Sequence, residues 1–356
     1  KSRYLSYIYY TPCYTFSMNN NLYFTGGMPD DRKEEEKLKD YTHEELIGYG
    51  APVIWEEREA KGYTIRNQNG SGACGAFAAS VALGRNEERE NGKYVNVSPA
   101  FIYQKRKNKD SMGMYILDIM DILKKYGSPL DENLSDDNKG DEYMDTKQFS
   151  GYQIEEAENY KTKNYLFMTK NIDEVASVIS QGRTPILLLR CGISEWSTTP
   201  KLIKNTKEIN HYVPCVDFIL IDGVKHIVVQ DSWGWSGGRN GLRFISEEFL
   251  MERVETISYT IDLENAPKSD EPKYTFKNVL EFGMRGSKDV VALQDILKYE
   301  GCLDKAVPST GNYFNMTALA VKKLQLKNKI AGIAEIESLQ GKRVGSKTLA
   351  YLAKYS

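Results

Sequence analysis

A cysteine that follows a glycine-rich turn is the residue of this sequence best placed to do chemistry. Cys74 lies in the stretch Asn67-Gln68-Asn69-Gly70-Ser71-Gly72-Ala73-Cys74-Gly75-Ala76-Phe77-Ala78, where small apolar residues that favour a helix follow the turn. A helix N-terminus stabilises a thiolate through its unpaired N–H groups and macrodipole. The side-chain amide of Gln68 and the backbone N–H of Cys74 would together supply two oxyanion donors. A lone cysteine is more often an inert core residue, so the prediction of a nucleophile depends on a base elsewhere.

The chain has only three histidines from which such a base can come. His211 opens an apolar strand, where a side chain would overhang a cleft, and it is the predicted general base and acid. The carboxylate of Asp231 is predicted to accept Nδ1–H of this histidine, and Trp233 to cover the pair. His226 competes for the base role, but its odd separation from Asp231 on one strand puts the two side chains on opposite faces. His43 is predicted to be a surface residue.

In their order along the chain, these residues resemble the papain-like cysteine peptidases. Gln68, Cys74 and Ala76-Phe77 match that family's Gln…Gly-x-Cys-x-Ala-Phe signature, and Asp231-Ser232-Trp233-Gly234 matches its Asn-Ser-Trp-Gly. The similarity covers roughly residues 48–262. It implies that Cys74 is the nucleophile, His211 the general base and acid, Asp231 the residue that orients the histidine, and Gln68 the oxyanion donor. It also implies a substrate-binding set of Gly72, Gly113, Met114 and Trp233.

Three positions depart from the family pattern. Ser71 stands where many members have a disulfide cysteine, so that bridge is absent. Gly75 replaces the tryptophan that usually follows the nucleophile, which predicts a more open wall of the cleft. Asp231 replaces asparagine, and a carboxylate there would raise the pKa of the histidine. None of the three changes removes a catalytic group.

The elements expected to position these residues are helical in the first half of the core and extended in the second. Helices are predicted from Cys74 to about Asn91, from Ser98-Pro99 onward, over Met114–Tyr126 and over 173–181, with loop over about 128–160. Strands are predicted over Pro185–Arg190, His211–Asp222, His226–Asp231 and Leu242–Ile245. The expected fold class is therefore α+β, a papain-like two-lobe body with a cleft between a helical and a β lobe.

The C-terminal part carries a second resemblance. Gly283-Met284-Arg285-Gly286-Ser287-Lys288-Asp289-Val290 and the later Gly311-Asn312-Tyr313-Phe314 are similar to segments of peptidoglycan-binding domains. Apolar positions at helical spacing predict a small all-α three-helix domain. The predicted helix caps are Ser287, Asn315 or Thr317, and Ser346. Residues 276–356 contain 13 Lys and Arg against 7 Asp and Glu, a net charge of +6 that suits an anionic cell envelope. A generic helical bundle that docks on the peptidase is the alternative.

Four regions are therefore predicted: an N-terminal extension over 1–45, the peptidase domain over 46–265, a linker over 266–275 and the peptidoglycan-binding-like domain over 276–356. The net charge of −2 gives no reason to expect nucleic-acid binding, and no apolar run is long enough to span a bilayer. The five cysteines show no metal-ligand spacing, so neither a metal nor another cofactor is expected.

The predicted function is peptide-bond hydrolysis by a Cys/His thiolate–imidazolium pair, with the enzyme tethered to the cell envelope. The expected partners are a peptide or protein substrate, and peptidoglycan or another cell-wall polymer bound through residues 276–356. Such a protein is expected outside the cell or at its envelope, with a virion-borne enzyme as one form. The alternative is a catalytically inactive structural or binding component of a particle or surface.

Overall fold

The computed structural model describes residues 16–18, 21–23, 26–33, 37, 53–192, 196, 201, 210–261, 272–303 and 309–356. The helices are α1 Cys74–Asn91, α2 Pro99–Tyr103, α3 Ile116–Lys125, α4 Asp141–Thr146, α5 Gly151–Ala157, α6 Ile172–Ser180, α7 Glu247–Arg253, α8 Lys288–Tyr299, α9 Asn315–Lys327, α10 Ile333–Leu339 and α11 Ser346–Leu352. The strands are β1 Phe16–Met18, β2 Asn21–Tyr23, β3 Asn164–Met168, β4 Ile186–Arg190, β5 Asn210–Ile221, β6 Val224–Gln230, β7 Leu242–Ser246, β8 Val254–Ile261, β9 Leu280–Glu281 and β10 Arg343–Val344. Within this part of the chain, no helix has the length and apolar character that crossing a membrane requires.

A six-stranded antiparallel sheet forms the β half of the body, in the order β3-β8-β4-β5-β6-β7. Successive side chains of a strand point to opposite faces, and β4 shows what this does. Ile186 and Leu188 join a core that also contains α1, α2 and α3, whereas Leu187 and Leu189 join a second core with α6. Both faces of the sheet are therefore covered, which explains why β4 is apolar at nearly every position.

Helix α1 is the central element of the helical lobe. Its first thirteen residues, from Cys74 to Asn86, are all buried, and small side chains let the helix lie close to β5. The helix ends at Gly92, whose left-handed backbone gives the N–H that closes the last turn on Glu88. Helix α2 begins with the predicted cap, since the Ser98 side chain accepts a hydrogen bond from Phe101 N.

The fold class expected from the sequence is confirmed, and several boundaries agree within two residues. The loop predicted over 128–160 is wrong in part, because α4 and α5 form there and α5 carries a complete capping box on Ser150. Strands β3 and β8 and helix α7 were not anticipated. The predicted surface residue His43 and most of the linker over 266–275 lie outside the described residues.

The C-terminal unit contains the three expected helices as α8, α9 and α11. The Ser287 side chain caps α8 by accepting a hydrogen bond from Val290 N, as predicted. The caps predicted for the other two helices were wrong, because α9 and α11 follow Phe314 and Gly345 and have no side-chain cap. The unit also contains the short helix α10 and an antiparallel pairing of β9 with β10. Apolar side chains of α8 and α9 are buried between the helices, which are connected by a hydrogen bond from Gln294 Nε2 to Thr317 Oγ1.

Candidate active site

Cys74 is the first residue of α1 and is fully buried. The preceding residue, Ala73, offers no side-chain cap, so the N–H groups of the first turn keep their positive potential for the sulfur. The turn before the helix is fixed from the helical lobe, because the carboxylate of Asp141 accepts a hydrogen bond from Gly72 N at 3.1 Å. The sequence prediction of a cysteine at a helix N-terminus is therefore confirmed.

Two neighbouring antiparallel strands bring the predicted base and its partner together. His211 lies at the start of β5, and Asp231 directly follows β6. His211 Nε2 lies 3.1 Å from Asp231 Oδ1, and both side chains are fully buried. The sequence-based assignment of Nδ1 to this contact is wrong, since Nε2 makes it. The buried Nδ1 atom is consequently the ring nitrogen left for the thiol of Cys74.

The pKa of His211 is the main electrostatic feature of the site. Burial by itself lowers this pKa, but hydrogen bonds to Asp231 and Cys74 together with their charges raise it to about 9. The protonated ring is thus favoured at neutral pH, as a thiolate–imidazolium pair requires. Two tryptophans enclose the ring, with centroids 5.3 Å away for Trp196 and 5.4 Å away for Trp233. Trp233 therefore takes the covering position predicted for it.

Gln68 is oriented by Ser232, the residue that follows Asp231. Ser232 Oγ donates to Gln68 Oε1 at 2.5 Å, and Gln68 N donates to the Ser232 carbonyl oxygen at 2.7 Å. With its oxygen held in this way, the amide presents its Nε2 group on the opposite side, where one hydrogen bond goes to the Ser71 carbonyl oxygen at 2.7 Å. The sequence motif contained Ser232, but its role in orienting Gln68 was not predicted.

Arg243 is a member of the site that sequence reasoning missed. It lies on β7, and its Nη2 atom donates to Asp231 Oδ2 at 2.7 Å, on the side of the carboxylate away from His211. Its guanidinium is fully buried and lies 4.9 Å from the ring centroid of Trp196. The available signal was an arginine in the otherwise apolar strand Leu242–Ser246, which implies a buried counter-ion.

His226 is directed elsewhere. Its Nδ1 atom lies 2.9 Å from the carbonyl oxygen of Val224 on the same strand, and burial lowers its pKa. This placement agrees with the expectation that His226 faces away from Asp231.

Comparisons with known proteins agree with the geometry of the site. The sequence profile of the papain family cysteine proteases matches residues 51–258, which is more than half of the chain. The chain belongs to the papain family of cysteine proteases. It is therefore a papain-like cysteine peptidase, a hydrolase that acts on peptide or protein substrates. No curated protein sequence matches the chain significantly.

Several solved structures of cysteine proteases are similar to this chain. Xylellain, a cysteine protease from Xylella fastidiosa, is similar with a TM-score of 0.55 and 19% identity, over 67% of this chain and 96% of xylellain. Bromelain from Ananas comosus, in complex with the E64 inhibitor, has a TM-score of 0.45 and 16% identity over 56% of this chain and 93% of its own. The proform of Amb a 11, a ragweed pollen allergen, has a TM-score of 0.44 and 19% identity over 56% of this chain and 61% of its own.

In this peptidase, an N-terminal segment lies across the residues predicted to bind substrate. Gly26 N donates to Cys74 Sγ at 3.2 Å. Met114 N donates to the Gly26 carbonyl oxygen at 2.9 Å, and Met28 N donates to the Met114 carbonyl oxygen at 3.0 Å. Gly113 has a φ of +90°, and a Cβ there would come within 2.5 Å of the Gly26 oxygen. The predicted substrate strand is thus already paired with another part of the same chain.

The segment continues along the sheet and is anchored there by Arg32, which also forms a buried ion pair within the segment. Arg32 and Asp30 pair at 2.8 Å, with both side chains nearly inaccessible to solvent. Arg32 Nη2 also donates to Thr256 Oγ1 at 2.9 Å, and the guanidinium lies 3.5 Å from the ring centroid of Phe167. We call residues 26–33 the cleft segment. Its contact with the sulfur is the backbone N–H of Gly26.

The cleft wall beside the nucleophile is closed, contrary to the expectation from Gly75. A Cβ at Gly75 would lie 2.6 Å from Ile119 Cδ1 and 3.2 Å from Tyr212 Cδ2. These two side chains occupy the space beside the first turn of α1, so the glycine makes room for them. The prediction of a more open wall was therefore wrong, because a sequence shows the missing side chain but not the neighbours that replace it.

Proposed function

We propose that Cys74, His211, Asp231 and Gln68 carry out peptide-bond hydrolysis in this peptidase. The Cys74 thiolate attacks the peptide carbonyl carbon, and Gln68 Nε2 and the Cys74 N–H stabilise the resulting oxyanion. His211 gives its proton to the leaving amine, which leaves a thioester. His211 then takes a proton from water as that water attacks the thioester, which releases the carboxylic acid and restores the thiolate–imidazolium pair.

The observation that carries this proposal is the position of His211. Its Nε2 is held by Asp231, and its pKa is raised by both Asp231 and Cys74. A structural histidine in an apolar core would have a lowered pKa, because burial disfavours the imidazolium. A histidine that acts as general base and acid needs a carboxylate to orient its ring and a nucleophile with which to exchange a proton. His211 has Asp231 on one side and the Cys74 sulfur on the other.

We further propose that the peptidase is latent while the cleft segment is in place. The segment pairs with Met114 and places Gly26 N against the sulfur, so a peptide substrate would have to displace it. Arg32, which is paired with Asp30 inside the segment, anchors it on the sheet through Thr256 and the ring of Phe167.

A thiol-directed epoxide tests the catalytic assignment. Full-length protein is treated with the reagent, and the modified residue is located by mass spectrometry. We expect modification at Cys74 and none at the buried Cys191 or Cys215. Cys74→Ala and His211→Asn should each abolish both the modification and the digestion of an unfolded protein. The cleft segment slows this reaction in the full-length protein, so a chain that starts at residue 46 is treated in parallel. If Cys74 reacts in neither chain and neither chain digests an unfolded protein, the inactive-component alternative is favoured.

We also propose that the C-terminal unit binds a cell-wall polymer, with an extracellular or envelope location that includes a virion-borne enzyme. Support comes from the resemblance to peptidoglycan-binding segments and from the net charge of +6 over residues 276–356. A groove of about 210 Å³ lies in this unit and is lined by Gln325, Ala331, Glu335, Ile336, Leu339, Arg343, Gly345, Ser346, Lys347 and Thr348. Its combination of basic, hydroxyl and apolar groups suits an anionic glycopeptide.

Sedimentation with purified sacculi tests the tether. The full chain should co-sediment, and Arg343→Ala with Lys347→Ala should weaken retention about thirtyfold if each charge contributes roughly 1 kcal/mol. Lys277→Ala with Lys288→Ala is the matched control, because it removes the same charge outside the groove. Equal retention of both double variants and the wild type would show that the groove does not hold the wall.

A further inference from the structure

The carboxylate of Asp231 is a buried negative charge, which costs free energy that a neutral asparagine amide at this position would not cost. Asp231 is fully buried, and an isolated charge in such a place is strongly unfavourable. Its Oδ1 atom interacts with His211 Nε2 and accepts a hydrogen bond from Ser232 N at 2.7 Å. Its Oδ2 atom points to the opposite side, toward β7. The charge that orients the histidine therefore has a second partner.

That partner is Arg243, whose guanidinium makes its hydrogen bond to this carboxylate. Nη2 of the guanidinium donates to Asp231 Oδ2 at 2.7 Å, and neither side chain is exposed to solvent. Nε and Nη1 are buried without a hydrogen-bond acceptor among the described residues. An arginine that were only a structural cross-link would be expected to satisfy more of its five donors. Its position is therefore explained by charge compensation at Asp231.

The loop between Asp231 and β7 is shaped around the guanidinium. A Cβ at Gly238 would lie 2.2 Å from Arg243 Nη1, and one at Gly237 would lie 2.7 Å from Nη2. A side chain at either position would collide with the guanidinium, so both glycines are needed to make room for it. The ring of Trp196 contacts both groups, at 4.9 Å from the guanidinium and 5.3 Å from the ring of His211. The arginine is therefore packed against the loop glycines and against Trp196.

We propose that Arg243 is a positioning residue of the catalytic site, which fixes the Asp231 carboxylate against His211 and compensates its charge. This inference rests on the proposed catalytic role of Cys74 and His211. The ionisable groups that face one another here are Cys74 on α1, His211 on β5, Asp231 after β6 and Arg243 on β7. With both Asp231 and Arg243 charged, the histidine is oriented by a carboxylate but experiences only part of its negative field.

The consequence is a set of pH shifts of defined sign. In Arg243→Met, Asp231 acts on His211 without compensation, so the alkaline limit of the thiolate–imidazolium pair should rise by about 1 pH unit or more. In Asp231→Asn, the uncompensated Arg243 cation faces His211, and the alkaline limit should fall by a similar amount. The double variant, Asp231→Asn with Arg243→Met, has neither charge, and its alkaline limit should lie between those of the single variants.

The experiment measures the rate of Cys74 alkylation by iodoacetamide in the full chain, from about pH 4 to about pH 10. The modified Cys74 peptide is quantified by mass spectrometry, and kcat and KM for an unfolded protein substrate are measured beside it. The cleft segment is the same in every variant, so its effect cancels. We expect kcat to fall about tenfold or more in each single variant, with little change in KM. The loss in the double variant should be smaller than the product of the single losses by about fivefold or more.

Arg239→Met is the matched control, because this arginine lies in the same loop but is exposed. An Arg243→Met profile identical to that of Arg239→Met would overturn the inference. If Arg243→Met does not fold, the comparison of Asp231→Asn with the double variant decides, since an unchanged alkaline limit between these two also overturns it. Failure of the proposed function looks different: wild-type Cys74 would then show no alkylation that depends on His211.

Discussion

At the residue scale, the raised pKa of His211 couples the ionisation of the site to the stability of the fold. Hydrogen bonds to Asp231 and Cys74 overcome the effect of burial and bring this pKa to about 9, whereas an unfolded histidine has a pKa of about 6.5. A group whose pKa is raised on folding stabilises the native state fully below its unfolded value. That contribution is lost as the pH rises toward and through about 9.

We therefore expect a stability difference between wild type and His211→Asn that depends on pH. The wild type should lose stability relative to this variant between about pH 6.5 and about pH 9. In this interval the unfolded histidine has lost its proton, whereas the folded histidine still holds it. Urea unfolding of both proteins across this interval provides the measurement. A constant difference between their unfolding free energies would mean that His211 is not protonated in the folded state.

Ser232 illustrates how one side chain can affect catalysis without touching the reacting atoms. Its hydroxyl is the group that fixes the Gln68 amide, and Ser232→Ala should let that amide rotate out of position. Loss of an oxyanion donor costs about 10²- to 10³-fold in kcat, so partial misorientation should cost about tenfold, with KM nearly unchanged. Steady-state kinetics on an unfolded protein substrate, with the exposed Ser236→Ala as control, checks this prediction. Equal kcat values for the two variants would contradict it.

At the scale of elements, the sequence predicted those parts whose signals are local. Helix α1 was predicted because its small apolar run ends at Asn91-Gly92, and α2 because Ser98-Pro99 is a strong helix start. Strand β8 was missed because Thr256 and Thr260 make its apolar pattern irregular. These threonines are buried against partners that the sequence does not indicate, namely Arg32 and Asn86.

The site shows the same division between local and distant signals. The motifs around Cys74 and Asp231 predicted three of the four proposed catalytic residues, and His211 was predicted as one of only three histidines, at the start of an apolar strand. The ring nitrogen that contacts Asp231 could not be predicted, because it depends on the rotamer of His211. Arg243 could not be placed either, because the register between β6 and β7 decides which strand position meets the carboxylate.

Elements of the helical lobe also hold Gly72 and Gly113, two glycines predicted to bind substrate, at a fixed separation. The Tyr103 hydroxyl donates to Asp141 and accepts from Gly113 N at 3.2 Å, and the same carboxylate accepts from Gly72 N. This hydrogen-bonded clamp joins Gly72 to Gly113 in a chain where Ser71 forms no disulfide. Tyr103, Gly72 and Gly113 are buried and Asp141 is half-buried, so most of the clamp is protected from competition with water.

Tyr103→Phe should therefore loosen the cleft. Removal of the hydroxyl leaves Asp141 and Gly113 N each without one partner, at a cost of about 1 to 3 kcal/mol in unfolding free energy. KM for peptide substrates should rise several-fold more than kcat changes, because both affected glycines are predicted to bind substrate. Urea unfolding and steady-state kinetics check this prediction, with the exposed Tyr152→Phe as the control. A variant as stable as this control would show that the clamp contributes nothing.

At the scale of the whole molecule, the structure combines a complete set of proposed catalytic groups with a cleft that is already occupied. The cleft segment uses backbone pairing with Met114 and Asn210 along with one buried ion pair. Gly27 fits only because it lacks a side chain, since a Cβ there would lie 2.7 Å from the Asn210 carbonyl carbon. Such close packing is selective for this segment, and a modest change within it should open the cleft without altering the catalytic groups.

Gly26→Ala is the substitution in the cleft segment that should disturb its packing most directly. A Cβ at this position would lie 1.7 Å from the carbonyl oxygen of Gly72, so the substituted segment cannot pair with Met114 or approach Cys74. We expect the full-length variant to react with a thiol-directed epoxide about tenfold faster or more, which corresponds to weakening the closed state by about 1.4 kcal/mol. A chain that starts at residue 46 should react at least as fast.

Gly140→Ala is the matched control, since a Cβ there meets no atom within 4 Å. It should react at the wild-type rate, which separates release of the segment from a general effect of the glycine substitution. If Gly26→Ala and the truncated chain both react at the wild-type rate, the segment does not limit access, and latency is wrong. If only the truncated chain reacts faster, Gly26 is not the closing contact, and the anchor formed by Asp30 and Arg32 must hold the segment in place without it.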